Sequence, residues 1–216
     1  MSRCGDLVSL LDALDTHTNV FGGDDPETLA VVHELAIALW RVGDLDGAAG
    51  LLDQALEHLT SAFGREDPMR VDVLSTRGEI ALEQRRLDQA GAIHREVLEQ
   101  RIRRSGTDHP QTLAAKADLA AVLFELGQEE EASSLEQEAF ESARTHLGKK
   151  HSVTCVLAWN RALTYERRGD HDSARTVFTH ELTWLLTEDP ASLEADQNIV
   201  RTMLAERFHW DSAKAC

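Results

Sequence analysis

Cysteine, proline, aromatic residues and positive charge are all in short supply in this sequence, and each shortage removes a class of protein. The three cysteines, Cys4, Cys155 and Cys216, are odd in number and share neither metal nor redox spacing. That argues against a disulfide framework and for a reducing compartment, with the cytoplasm as the default. Aromatics make up 5% of the chain against 42% hydrophobic residues overall, which leaves the packing to Ala, Leu and Val, as in a helical protein. The four prolines all fall at boundaries between segments of helical periodicity. No apolar run approaches the roughly 18 residues needed to span a bilayer, and Leu7 to Leu14 is interrupted by Asp12, so it is no secretory leader. With 22 Lys and Arg against 38 Asp and Glu, the net charge is −16. No partnership with nucleic acid or an anionic membrane surface is therefore expected, and the densest basic cluster, Arg95, Arg101, Arg103 and Arg104, reads as a solvated helix face.

Catalytic and metal-binding motifs are missing as well. His33 and Glu34 are followed by Leu35, Ala36 and Ile37, so there is no H-E-x-x-H zinc motif. Gly148, Lys149 and Lys150 lack the preceding glycine and strand of a phosphate loop. Asp44, Asp46 and Gly47 lack the later Glu of a calcium loop and read as a helix start. No metal and no cofactor is expected. Glu79 and Glu83, four apart on one helical face, are the one pair suited to acid/base work, and a solvated face explains them more simply.

What the chain does have is a period of 42 residues. Asp108, His109 and Pro110 launch an Ala/Leu-rich helix that Gly127 stops, and Ala132 follows in the next helical pattern. One step back lies Pro68, Arg85 and Ala90; a second step lies Pro26, Gly43 and Ala48; a step forward lies Ser152, Gly169 and Ala174. Each unit reads as two antiparallel helices, A and B, and stacked units share one continuous core. The expected organisation is a single array over residues 1–216: a leading half repeat at 5–22, repeats at 26–64, 68–106, 110–148 and 152–187, and a trailing partial repeat at 190–216. Asp189 and Pro190 come 38 residues after Ser152. Helix B of repeat four is therefore expected to be one turn shorter, with a final helix A over 190–206 and a further helix B begun at Asp211 to Ala213. Ends that fall inside repeats suit an excerpt of a longer array or a small protein capped by half repeats.

Small residues twelve apart, Ala36 with Ala48, Gly78 with Ala90, Ala120 with Ala132 and Ala162 with Ala174, allow helix A to approach helix B closely. This pattern resembles the tetratricopeptide repeat (TPR) family. The 42-residue unit, with D-H-P-x-T-L at Asp108 to Leu113 and N-x-A at Asn160 to Ala162, is similar to its kinesin-light-chain-like branch. The resemblance implies an all-α, right-handed superhelical TPR solenoid whose A helices line a concave groove. It also implies that the helix A asparagine bonds a bound peptide, but only Asn160 and Asn198 retain it, with Glu34, Thr76 and Asp118 at the other positions.

Helix A positions directed away from the A/B seam then give the expected partner-binding residues His33, Trp40, Arg41, Glu79, Glu83, Phe124, Trp159 and Arg167, with Arg77 beside them, and the resemblance adds Asn160. Arg77 and Arg161 stand where repeats one and three have Leu35 and Leu119, and are expected to be half-buried near the groove. Trp and Arg often carry interface energy; the competing reading of Trp40 and Trp159 is that they fill core gaps beside alanines. The His residues of the B tracks, among them His94, read as outer or seam positions, and His109 and His151 as part of the inter-repeat turn. The expected function is recognition of a protein or peptide segment without catalysis, as a scaffold or adaptor. Alternatives are a regulatory segment of a larger multidomain protein and a small enzyme using the groove as its pocket. Self-association through an exposed terminal repeat is a further expectation.

Overall fold

The computed structural model describes residues 3–208. Eleven α-helices are present among them, and no strand: α1 Arg3–Phe21, α2 Pro26–Arg41, α3 Leu45–Phe63, α4 Pro68–Glu83, α5 Leu87–Ser105, α6 Pro110–Glu125, α7 Glu129–His146, α8 Ser152–Arg167, α9 His171–Val177, α10 Trp184–Thr187 and α11 Ala195–Arg207. The chain divides into two compact units, one to Arg103 and one from Arg104. In the first, α1 packs on α2, α2 on α3 and α3 on α4; in the second, α6 packs on α7, α7 on α8, and α8 on both α9 and α11. Each unit has its own core.

The caps explain the period. Each A helix begins behind an extended residue whose side chain accepts from a first-turn backbone N–H. Asp25 accepts from Glu27 and Asp67 from Arg70, while His109 Nδ1 accepts from Gln111 and His151 Nδ1 from Val153. Proline follows at the first helical position in the first three, where its missing N–H costs nothing. His109 and His151 are thus caps, as the turn pattern suggested. Asp44 and Asp170 cap the B helices α3 and α9 by accepting from Gly47 and Ser173. The A-to-B turns pass through the left-handed region, at Gly43 (φ 91°), Gly127 (75°) and Gly169 (76°). In repeat two Arg85 takes this conformation at φ 61°, a strained choice for a residue with a Cβ.

The small residues of the four pairs lie in the core: Ala36, Ala48, Ala90, Ala120, Ala132, Ala162 and Ala174 are all buried, and so is Gly78. A second set of positions 42 apart lies on the B helices, Leu52, His94, Glu136 and Phe178, every member buried. His94 is therefore in the core and not on an outer or seam face. Its ring fills the space beside Gly78, where a Cβ would stand 2.7 Å from Nε2.

The end of repeat four departs from the sequence expectation. Helix B is not cut short by a turn. It continues from α9 through a π-helical segment, Phe178–Leu182, into α10. Thr176, Thr179, Thr183 and Thr187 turn their hydroxyls back to carbonyls three or four residues earlier, a pattern that bends helices. Asp189 and Pro190 start only a 3-10 turn, Pro190–Ser192, after which the chain extends at Leu193. α11 begins at Ala195, with Glu194 and Gln197 forming a capping box. The 38-residue step was therefore a false register, since the A helix begins 43 residues after Ser152. The expected helix start at Asp211 lies outside the described residues.

Candidate functional site

The expected partner-binding residues fall in both units, and each unit presents its own arrangement. In the first unit His33 on α2 is half-buried, and its Nε2 shares a 2.9 Å hydrogen bond with the Thr76 hydroxyl on α4. The Thr76 hydroxyl also reaches the Asp72 carbonyl, at 3.3 Å. The Asp72 carboxylate meets Arg101 of α5 at 2.9 Å. Burial lowers the His33 pKa, with the carboxylates of Asp72 and Glu34 pulling it back up. Trp40 is half-buried against the core of this unit, while Arg41 and Glu83 are exposed and Glu79 is half-buried.

Arg77 is buried more deeply than the sequence suggested. Only 3% of its side chain is exposed, and its Nε and one terminal nitrogen donate to the two Asp53 oxygens at 2.8 and 3.3 Å. This forked pair, between α4 and the preceding B helix α3, is the strong form of charge-assisted hydrogen bond. The other terminal nitrogen is buried without a partner. Arg77 thus holds the seam between repeats and presents no guanidinium to an incoming partner.

In the second unit Trp159 also turns inward. It is 8% exposed and meets the Phe178 ring edge-on at 5.3 Å, so the core-filling reading applies to it. Phe124 is only half-buried, and the exposed Arg167 places its guanidinium over the ring at 5.0 Å, with Arg168 at 5.9 Å. Asn160 is half-buried on α8. Asn198 is spent on the chain itself, its amide donating to the carbonyls of Pro190 and Leu193, and the corrected register removes its equivalence to Asn160. Phe124 and Arg167 are thus brought together, while Trp159 and Arg77 are withdrawn.

A polar cavity of about 140 Å³ lies between α7 and α8. Ser133, Glu136 and Gln137 line it from α7, Arg161, Thr164 and Tyr165 from α8, and Arg168 from the residue that follows α8. Glu136 is 4% exposed and accepts from the Thr164 hydroxyl at 3.0 Å. Burial raises its pKa, opposed by the Thr164 bond and by the charges of Arg161, Arg167 and Arg168. Arg161 is half-buried, as expected. It donates to the Tyr165 hydroxyl at 2.8 Å and lies over the Tyr165 and Phe140 rings. Arg168 donates to Ser133 Oγ and the Glu129 carbonyl. Among the described residues neither arginine forms an ion pair. The sequence reading missed Glu136, Tyr165 and Arg168; stepping 42 residues from the core leucine Leu52 would have exposed the buried carboxylate.

The described residues contain no cluster of His, Cys, Asp and Glu able to hold a metal ion, and no helix among them is long and apolar enough to cross a membrane. No curated protein matches the chain. Among solved structures, the fold is similar to the kinesin light chain TPR-like repeats of Podosopora anserina, at 19% identity over 96% of this chain and 89% of that one, TM-score 0.71. It is also similar to BtubC (BKLC) from P. vanneervenii, at 18% identity over 100% of this chain and 88% of that one, TM-score 0.72. A more distant likeness is to MamA, at 14% identity over 81% and 86% of the two chains, TM-score 0.53. At these identities the likeness is one of fold. Two tetratricopeptide repeat models match residues 28–68 and 70–145, more than half of the chain between them, so the protein belongs to the tetratricopeptide repeat family, with repeats like those of kinesin light chain.

Proposed function

We propose that this chain is a non-catalytic scaffold or adaptor that binds a protein or peptide segment on the faces of its A helices. The repeat fold supports protein interaction in general, and the observation that carries the finer reading is the pair of Phe124 and Arg167. A half-buried aromatic ring under an exposed guanidinium combines a large apolar face with arginine, a residue type enriched in interface hot spots. In the first unit the corresponding candidates are His33, Trp40, Arg41, Glu79 and Glu83; Asn160 supplies an amide in the second. Arg77 and Trp159 are buried and take no part in this reading. A cytoplasmic location belongs to the same reading, since Cys155 is a free buried thiol.

The test is capture of partners from the native host by the full chain, compared with Phe124→Ala/Arg167→Ala and with Trp40→Ala. Loss of a reproducible partner in the first variant, with helicity and melting temperature retained, supports the assignment. Retention of every partner by both variants refutes it. Self-association is a second reading, favoured by Ile199, 56% exposed on α11, and by Val8 and Leu11, 59% and 52% exposed on α1. A mass that stays monomeric by light scattering across concentrations eliminates it.

A further inference from the structure

Arg77 and Arg161 occupy the same place in their repeats, and each faces a B helix of the repeat before it. Opposite Arg77 that helix provides Asp53, whose carboxylate is gripped by two guanidinium nitrogens at 2.8 and 3.3 Å. The residue in register with Asp53 opposite Arg161 is Gln137, and its amide is directed to Glu141 at 2.8 Å. Where the first unit has a carboxylate seated on arginine, the second has a cavity of about 140 Å³, room for a few water molecules or one small acidic group. The guanidinium groups of Arg161 and Arg168 line it, with the hydroxyls of Ser133 and Tyr165, which accept from those arginines, as further donors.

We propose that this cavity is a carboxylate-binding subsite in which Arg161 and Arg168 take an acidic group from outside the chain, as Arg77 takes Asp53 within it. Glu136 in the cavity wall does not forbid this, since three arginines act on that one carboxylate and Thr164 already holds it. A guanidinium matches a carboxylate in a forked geometry that a neutral amide cannot reproduce. The assignment goes beyond the A-helix face and stands or falls separately from it, because its substitutions, at Arg161 and Gln137, leave Phe124 and Arg167 in place.

The test is an NMR titration of the 15N-labelled full chain, read at the Nε–H resonances of Arg161 and Arg168. Three probes are used: acetate, acetyl-Gly-Glu-Gly-amide and the control acetyl-Gly-Gln-Gly-amide. Saturable shifts with the two carboxylates, and none with the Gln peptide, are expected. Tighter binding of the Glu peptide than of acetate identifies a peptide-borne carboxylate, and equal binding a free small acid; both uphold the subsite. Arg161→Leu restores the leucine of repeats one and three, and Gln137→Asp supplies an internal competitor, so each should weaken binding by about tenfold or more, the scale of a charge-assisted hydrogen bond. If Arg161→Leu fails to fold, Gln137→Asp carries the test. Shifts that never saturate, equal response to the Gln peptide, or undiminished binding by Gln137→Asp would overturn the proposal.

Discussion

Protonation of His94 should destabilise this protein from inside its first unit. The imidazole is 1% exposed at a position that repeat one fills with Leu52, and its Nδ1 has no partner. Burial pulls its pKa down from 6.5 to about 4, against a smaller upward pull from a hydrogen bond to the Gly78 backbone. Because the folded value lies below the unfolded one, the unfolded chain takes up the proton first as pH falls. Stability is complete above about pH 6.5, is lost on the way down, and the loss levels off below about pH 4. Those two values give a loss of about 2 kcal/mol at pH 5 and about 3 kcal/mol at pH 4, a large share of the stability of a domain this size.

Other groups titrate in the same window. His33, also lowered by burial, adds a loss of the same sign. Glu136 works against it: its folded pKa is raised, so the folded chain binds that proton first and gains stability as pH falls toward its ordinary 4.5. The useful quantity is therefore the difference between the wild type and His94→Leu, which carries the residue found at Leu52. Urea unfolding followed by circular dichroism between pH 7 and pH 4.5 should show the variant losing about 2 kcal/mol less than the wild type by pH 5. Parallel pH profiles, or an imidazole that titrates near 6.5 in the folded protein by NMR, would refute the reasoning.

Three further outcomes follow from the same packing. Gly78→Ala should destabilise by about 2 kcal/mol, because the new Cβ meets both His94 and Ile93 at under 3 Å; thermal melts read this directly, and recovery in Gly78→Ala/His94→Ala would trace it to the ring. Asp53→Ala should cost about 2–3 kcal/mol by leaving the Arg77 guanidinium buried and unpaired, below the full penalty because Asp53 is itself half-exposed, while Asp53→Ala/Arg77→Leu should recover most of it in urea titrations. Cys155, fully buried with its thiol pushed up to about 11, should react with iodoacetamide only at the rate of local opening, so mass spectrometry should find it unmodified on a timescale that labels it in urea.

The architecture was legible because its causes are local and repeated. Asp25 and Pro26, Asp67 and Pro68 carry their own capping chemistry, and the Ala36/Ala48 type of pair requires close helix approach wherever it recurs. Asp189 and Pro190 show the limit of such reasoning. They have the same cap chemistry, with Asp189 accepting from Ala191, but the turn ends after Ser192 and a stronger capping box at Glu194 and Gln197 starts the helix. The candidate site was legible only where exposure follows from helical phase, as for Phe124, Arg41 and Arg167. Arg77 and Trp159 obey a long-range cause, the residue that faces them across a seam, and one helix's periodicity carries no information about Asp53 or Phe178.

The polar residues of the seams also explain why repeats of one period are not interchangeable. An arginine at the packing leucine position is tolerable only if the neighbouring B helix answers its charge, as Asp53 answers Arg77, or if aromatic rings shield it, as Phe140 and Tyr165 shield Arg161. A histidine at this B-helix position needs the glycine at Gly78 to make room, and a glutamate there needs Thr164 and nearby arginines. Each departure from Leu and Ala is therefore tied to a second one on a particular neighbouring helix of the same unit, which fixes which helices pair within that unit. Exchanging repeats two and four would separate Arg77 from Asp53 and Arg161 from Phe140. Such a permuted chain should lose cooperative unfolding even though its helix content and its period are unchanged.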